Sequence, residues 1–286
     1  MRDPALYQAI LARQSVRRYE RRPLDAETQA RVRGAADAAR PLDPDIPFEI
    51  LWRDVDAPQD LAAILGPYGR IVTPPHFLVP AARGGARALV ELGYRVEQIA
   101  VRLAGMGVGS CYLGSLSRED EMRDQFGLAG DARVAAALIY GSPARGWGGR
   151  AINALIHRAA GAANKLPVER FFYTDTLEQP GPALSELAPL LEAARAAPSA
   201  VNAQPWRLLW RDGALTLFVQ RRNARYGSGP GALYRYHDGG CCMANLSLAL
   251  AAQRGEDARW ELLLGGEAQV PQHPEELEPL ARLTLD

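Results

Sequence analysis

Three short segments of the chain carry side chains suited to holding an anion or a flat polar ring. The first is Arg13-Gln14-Ser15-Val16-Arg17-Arg18. Two guanidinium groups four residues apart, with a hydroxyl between them, can offer planar N–H forks and a neutral donor to one phosphate-like anion. The same segment falls at a helix end before Pro23, where the helix dipole favours arginines without any ligand. The second is Ala197-Pro198-Ser199-Ala-Val-Asn202-Ala-Gln204-Pro205-Trp206. Ser199, Asn202 and Gln204 supply both donors and acceptors, which suits the edge of a ring bearing amide and carbonyl groups better than it suits a metal. Ordinary turn chemistry also uses Pro, Ser and Asn. The third is Gly107-Val-Gly109-Ser-Cys111-Tyr112-Leu113-Gly114-Ser115, whose glycines permit close backbone approach to a flat ligand. A helix precedes it, so it is not the G-x-G-x-x-G turn of a strand–helix phosphate site; a helix end followed by a loop is the plain alternative.

The remaining reactive side chains read as structural. Cys111, Cys241 and Cys242 are odd in number and lack C-x-x-C spacing, which argues against a disulfide framework and a zinc site. His76, His157, His237 and His273 are scattered without metal spacing. His237-Asp238, before Gly239-Gly240, reads as a helix cap, with Cys241 and Cys242 as packing residues at the helix start.

Composition sets the frame for these segments. The 286 residues are 48% hydrophobic and 23% charged, a globular profile that suits one large domain or two ordinary ones. Equal counts of 33 basic and 33 acidic residues leave no global field for nucleic acid or anionic lipid, though a local basic pocket is allowed. Lys165 is the single lysine among the 33 basic residues, as expected from codon bias in a GC-rich genome. The N-terminus shows no apolar signal-type stretch, and Ala151–Ala163, interrupted by His157 and Arg158, is too short to span a bilayer. A cytoplasmic protein without membrane or nucleic-acid partners is expected.

The elements that must position the segments alternate between helix and strand. Helices are predicted from Asp3-Pro4 to Gln14, Asp25 to Arg40, Tyr94 to Met106, Ala183 to Ala197 and Cys241 to Gln253. Ser117-Arg-Glu-Asp120 reads as a capping box for another. Strands are predicted at Phe48–Trp52, Phe77–Val79, Val134–Tyr140, Leu208–Trp210, Leu215–Val219 and Trp260–Leu264, with Asp212-Gly213 as a type I′ hairpin turn. Residues 142–182 read as a connector with one helix, Arg150–Ala163.

The chain also repeats itself. Leu51-Trp52-Arg53-Asp54 recurs 158 residues later as Leu209-Trp210-Arg211-Asp212, each copy after a Pro-aromatic step and a helix ending Ala-Ala-Arg. Gln98-Ile-Ala-Val-Arg-Leu-Ala lies over Asn245-Leu-Ser-Leu-Ala-Leu-Ala at an offset of 147. Two related halves packed about a pseudo-two-fold axis are expected, 1–145 and 183–286, joined by 146–182, with ligands in the cleft between them.

Taken together, the three segments resemble the FMN-dependent nitroreductase family. Its R-x-S-x-R/K phosphate motif is similar to Arg13, Ser15 and Arg17. Its A-P-S-x-x-N-x-Q-P-W motif matches 197–206, and its glycine-aromatic segment after the long helix matches Gly107–Tyr112. The placing of the first motif in one half and the second in the other resembles the subgroup with two fused nitroreductase-like halves. The resemblance implies an α+β fold of two pseudo-symmetric halves, each with a mainly antiparallel sheet flanked by helices, and an intrachain pseudo-dimer that is monomeric overall. It implies one FMN site, because Pro41–Ile46 lacks the A-P-S motif. Arg13, Gln14, Ser15 and Arg17 would hold the phosphate and ribityl end. Pro198, Ser199, Asn202 and Gln204 would reach the flavin from the second half. Tyr112 and Leu113 would lie against the ring, with a backbone N–H at Gly114 or Ser115 facing its N5 atom. Lys165, before Leu166-Pro167, is the nearest match to a basic residue that the family sets before a proline to grip phosphate, with Arg170 close by. The implied activity is ping-pong reduction of a small organic electron acceptor, nitroaromatic or quinone, by NADH or NADPH through the flavin. A specialised FMN enzyme (desaturase, dehydrogenase or dehalogenase) and a flavin-binding module without turnover are the alternatives.

Overall fold

Asp3 and Asp25 begin the first two helices as expected, each side chain accepting a hydrogen bond from the backbone N–H three residues on. In the computed structural model, which describes residues 2–55, 72, 74–144, 164–182, 184–265 and 269–285, these are α1 (Pro4–Ala12) and α2 (Ala26–Asp37). They are followed by β1 (Phe48–Asp54), β2 (His76–Arg83), α3 (Ala86–Gly105), β3 (Gly109–Gly114), α4 (Glu119–Phe126), β4 (Ala132–Arg133) and β5 (Ala136–Gly141). Then come β6 (Phe172–Thr174), α5 (Ala188–Ala196), β7 (Trp206–Arg211), β8 (Ala214–Gln220), α6 (Tyr234–Arg254), β9 (Trp260–Leu262) and β10 (Leu277–Thr284). The expected helix Arg150–Ala163 lies outside the described residues.

The α+β expectation is borne out. One sheet runs β1-β2-β5-β3, with β4 beside β2, and all its pairings are antiparallel. The other runs β6-β7-β8-β10-β9 and is antiparallel except for β6, which joins β7 in parallel. The order helix, strand, strand, long helix, strand, strand therefore occurs in both, and β1-β2-β5-β3 has the connectivity of β7-β8-β10-β9. Asp212 and Gly213 close the β7–β8 hairpin with positive φ at both, the I′ signature.

The two long helices lie back to back in the centre. A Cβ on Gly93 would stand 1.9 Å from the backbone oxygen of His237, and one on Gly240 2.1 Å from that of Val90. Val90 and His237, like Gly93 and Gly240, are 147 apart, so each helix meets the other through the same residues. One buried cluster draws on α1, α3, α5, α6, β7, β8 and β10. The N-terminal helix is tied to the far end of the chain: Asp3 N–H donates to Ala252 O at 2.9 Å, and the Tyr7 hydroxyl to Pro189 O at 3.1 Å.

Several expectations are corrected. Helix α3 starts at Ala86, not Tyr94: its polar stripe of Arg87, Glu91, Arg95, Gln98 and Arg102 already begins in the first turn, eight residues before the expected start. Helix α6 starts at Tyr234, so His237-Asp238 lies inside it and caps nothing, and Cys241-Cys242 lies inside it too. Ser117 caps no helix: α4 begins after Arg118 without a side-chain cap, and Glu119 is engaged by Arg133 and the N–H of Val134. The Gly107–Ser115 loop is largely strand β3, which β5 recruits residue for residue. Strand β10 escaped prediction because Pro279 stands within it, beside a register shift.

Candidate functional site

The arginine segment leaves α1 at Arg13, whose N–H still bonds Ala9 O at 3.0 Å. It then runs beside β3: Ser15 bridges Ser110 in parallel, and Val16 N–H donates to Ser110 O at 2.9 Å. Gly109 makes this approach possible, since a Cβ there would stand 2.9 Å from the Val16 side chain. The Arg13 guanidinium is turned inward. Its Nε stands 3.0 Å from Glu97 Oε1 on α3, both side chains being buried. The contact is ionic and lies outside hydrogen-bond geometry. The other Glu97 oxygen accepts the Tyr112 hydroxyl at 2.9 Å. Burial pushes the Glu97 carboxyl up, opposed by Arg13, Tyr112, Lys165 and His237. Arg17 is half-buried near Tyr19 and Cys111, whose thiol burial also pushes up. Gln14 is exposed.

Strand β3 separates two residues expected side by side. Alternation along a strand sends neighbours to opposite faces. Tyr112 packs toward α3 and meets the His237 ring edge-on at 5.5 Å, whereas Leu113 packs with Val16 and Met122 on the other face. The Tyr234 hydroxyl lies over Gly114, where a Cβ would come within 2.2 Å of it, and accepts the N–H of Leu116 at 3.2 Å. Ser115 is buried; its N–H donates to Ala135 O at 2.9 Å and its hydroxyl to Val134 O at 2.5 Å.

The 197–206 segment is the most strained stretch described. Val201, Asn202 and Gln204 have φ of 48°, 53° and 48°, a left-handed conformation that non-glycine residues adopt at a cost. Internal bonds hold it. Gln204 N–H donates to Ser199 Oγ at 2.9 Å, and Ala200 N–H to Asp238 Oδ2 at 2.8 Å. The same carboxylate oxygen accepts the Tyr226 hydroxyl at 2.7 Å. Asn202 and Gln204 are buried, Pro198 and Ser199 half-buried, and Val201 is 61% exposed.

Asn202 and Gln204 turn their amides toward the connector. Asn202 Nδ2 donates to Asn164 O at 3.0 Å, and Gln204 Nε2 donates to the same oxygen at 3.1 Å. Gln204 Oε1 accepts Leu166 N–H at 2.8 Å. Between them stands Lys165, whose Nζ donates to Ala197 O at 2.5 Å. Burial and the nearby Arg13 push its amine down to about 7, against the pull of Glu97, Cys242 and Asp238. Lys165 thus touches the 197–204 segment at Ala197 and lies within electrostatic reach of Arg13, Glu97 and Asp238, although these lie in separate stretches of sequence. Sequence reasoning missed Glu97, Tyr226 and Tyr234, and read Asp238 as part of a helix cap. The one available signal was an acidic residue inside an apolar helical run at Glu97. Among the described residues, no group of three or more His, Cys, Asp or Glu could hold a metal ion, and no helix is long and apolar enough to cross a membrane.

A model of the family described as "Putative TM nitroreductase" matches residues 5–226. The crystal structure of a putative nitroreductase from Thermotoga maritima superposes with a TM-score of 0.59 at 18% identity, covering 100% of this chain and 94% of that one. Nitroreductase A from Vibrio parahaemolyticus is similar over 50% of this chain and 69% of its own, with a TM-score of 0.44 and 19% identity. The NADPH:FMN oxidoreductase from Vibrio harveyi, in complex with NAD+, is similar over 49% and 70%, with a TM-score of 0.42 and 19% identity. No curated protein matches. The full-length superposition gives the α+β architecture described above a nitroreductase-like fold. By the family match across most of its length, the chain belongs to this nitroreductase family, a family of oxidoreductases.

Proposed function

We propose that the protein is an FMN-dependent oxidoreductase that uses NADH or NADPH to reduce a small organic acceptor, such as a nitroaromatic or a quinone. The observation that carries this reading is the meeting of Arg13, Lys165 and the 197–204 segment around Glu97 and Asp238. The donor set fits a phosphate-bearing group. Arg13 and Lys165 are close enough to repel one another, as two cations facing one anion would be, and Arg17 lies near Arg13 at Cys111. Charge-assisted N–H donors of this kind are the ones that hold phosphate. The repeated connectivity and the reciprocal Gly93 and Gly240 contacts support two fused halves, 1–145 and 183–286, joined by 146–182 and forming a monomeric pseudo-dimer.

In this reading Arg13, Gln14, Ser15, Arg17 and Lys165 hold the phosphate and ribityl end. The backbone at Pro198, Ser199, Asn202 and Gln204 forms the wall from the second half, and β3 with Gly114 and Ser115 the wall from the first. Tyr112 and Leu113 stand on opposite faces of β3, so only one of them lies against the ring, and the Ser115 N–H, bonded to Ala135 O, does not face it. When bound, FMN supplies hydride transfer between the nicotinamide and the acceptor. The protein's own part is to bind and orient. Tyr112 and Arg13 share the buried Glu97 and hold one another in place. The cations favour a negatively charged reduced cofactor. The Asp238 carboxylate fixes the loop that covers the site.

Purified protein should be yellow, with absorbance at about 450 nm, should retain one FMN per chain, and should bleach anaerobically with NADH or NADPH. A protein that stays colourless with added FMN would overturn the flavin reading. Two FMN per chain would overturn the single site. A yellow protein that neither nucleotide bleaches would reduce the proposal to flavin binding.

A further inference from the structure

Gln204 makes an unusual pair of contacts. Its side-chain amide bonds the carbonyl of Asn164 and the N–H of Leu166, one on each side of Lys165, as a neighbouring strand would. Asn202 adds a second donor to the Asn164 carbonyl. Both residues are held in left-handed geometry, with the Gln204 N–H fixed on Ser199 Oγ. Neither amide is turned toward open space: both residues are buried against the connector.

We propose that Gln204, seconded by Asn202, is a positioning residue for Lys165. It grips the backbone on both sides of the lysine and so delivers the amine to the Arg13–Glu97–Asp238 cluster, where the amine is the adjustable cation for an anionic ligand group such as a phosphate. The groups that act on this cluster are Arg13 from the end of α1, Glu97 from α3, Tyr112 from β3, and His237, Asp238, Cys241 and Cys242 from α6. Arg13 is already matched by Glu97, so Lys165 is the cation whose protonation an entering anion most readily changes. Arginine could not serve this way, because it stays charged throughout the working range. The one lysine therefore stands at a position where the difference between the two cations matters. The phosphate identity of the anion rests on the proposed flavin function; the grip of Gln204 on Lys165 does not.

The solitary lysine makes the test direct. Protein grown with 13C-lysine shows one lysine Cε resonance, whose shift follows the amine's protonation. The wild-type signal should titrate near 7, far below the ordinary 10.5. Gln204→Leu should move it upward by at least about one pH unit, and Asn202→Ala by less, with circular dichroism confirming the native fold. A titration unchanged in a folded Gln204→Leu protein overturns the positioning role. If Gln204→Leu does not fold, an unchanged titration in Asn202→Ala does the same. Inorganic phosphate should raise the wild-type titration and raise that of Gln204→Leu less; equal responses also count against the proposal. FMN forms a separate arm. A rise with FMN supports its phosphate in this cluster, and no rise removes it from there while the first arm still decides the role of Gln204.

Discussion

Two helix-to-strand junctions occupy equivalent places in the two sheets and have been built very differently. The first, 38–47, leads from α2 to β1; the second, 197–205, leads from α5 to β7. Each is anchored by a carboxylate on a long helix. Glu91 accepts the N–H groups of Leu42 and Asp43, both at 3.0 Å, and Asp238, 147 residues further on, accepts that of Ala200 at 2.8 Å. The two are also of similar length. There the likeness ends: the first has no left-handed residue, whereas the second holds three, two of them buried. Strain kept in one copy of a scaffold and absent from the other marks where the fold is being asked for something besides stability. The scaffold is common to both regions, and the strained amides of the second reach across to the connector and Lys165.

The largest effect should test the common scaffold. Gly93→Ala and Gly240→Ala each force a Cβ into backbone, and each should cost about 3 kcal/mol or more in urea unfolding. The two losses should be similar; a loss confined to one would break the equivalence of the helices.

The pH dependence of stability should separate the junctions. Lys165 has a folded value near 7 and an ordinary value of 10.5, so the unfolded chain binds more protons across that window and stability rises with pH there. Lys165→Met should flatten this rise, which after allowance for screening is on the order of 2 kcal/mol. Burial raises the Glu91 carboxyl above 4.5, so its contribution has the opposite sign: it is full at low pH and lost as pH rises through the raised value. Glu91→Gln should remove that acid-side term and leave the alkaline rise intact. Thermal melts from pH 4 to about 10 would show whether the two signs hold.

Ligand retention should depend on one side only. Arg17→Ala is expected to weaken FMN binding about 10-fold or more, as loss of a charge-assisted phosphate contact does. Glu91→Gln should leave retention unchanged. Unaltered retention in Arg17→Ala would remove the phosphate assignment. The smallest effect concerns strain. Val201→Gly should stabilise the protein by about 0.5–1 kcal/mol, because a β-branched residue is poorly suited to φ 48°. Asp45→Gly in the relaxed junction should cost a few tenths of a kcal/mol.

Much of this was legible in the sequence because it rests on local chemistry. Asp3-Pro4 and Asp25 set helix starts, Asp212-Gly213 fixed a hairpin, and the A-P-S segment announced itself by composition. What escaped depended on distant partners. β3 becomes a strand only because β5 offers an edge, and β6 is three residues that only β7 makes into a strand. The inward turn of Arg13 needs Glu97, from 84 positions away. Asn202 and Gln204 were legible as polar groups, but their commitment to Asn164 and Leu166 needed the fold.

The tie between α1 and the far end of the chain has a consequence for synthesis. The buried face of α1, with Ala9 and Ile10, lies in the cluster formed with α3, α5 and α6, and Asp3 is bonded to Ala252. On the ribosome, α3 emerges first and α5 later, and Ala252 of α6 emerges 240 residues after Ala12, the end of α1. At roughly 5–20 residues per second, the first helix waits roughly 10–50 s for the last part of its docking surface. During that interval the part of its apolar stripe that α5 and α6 will cover is open to chaperones, and closure of the molecule is left to the last long helix translated.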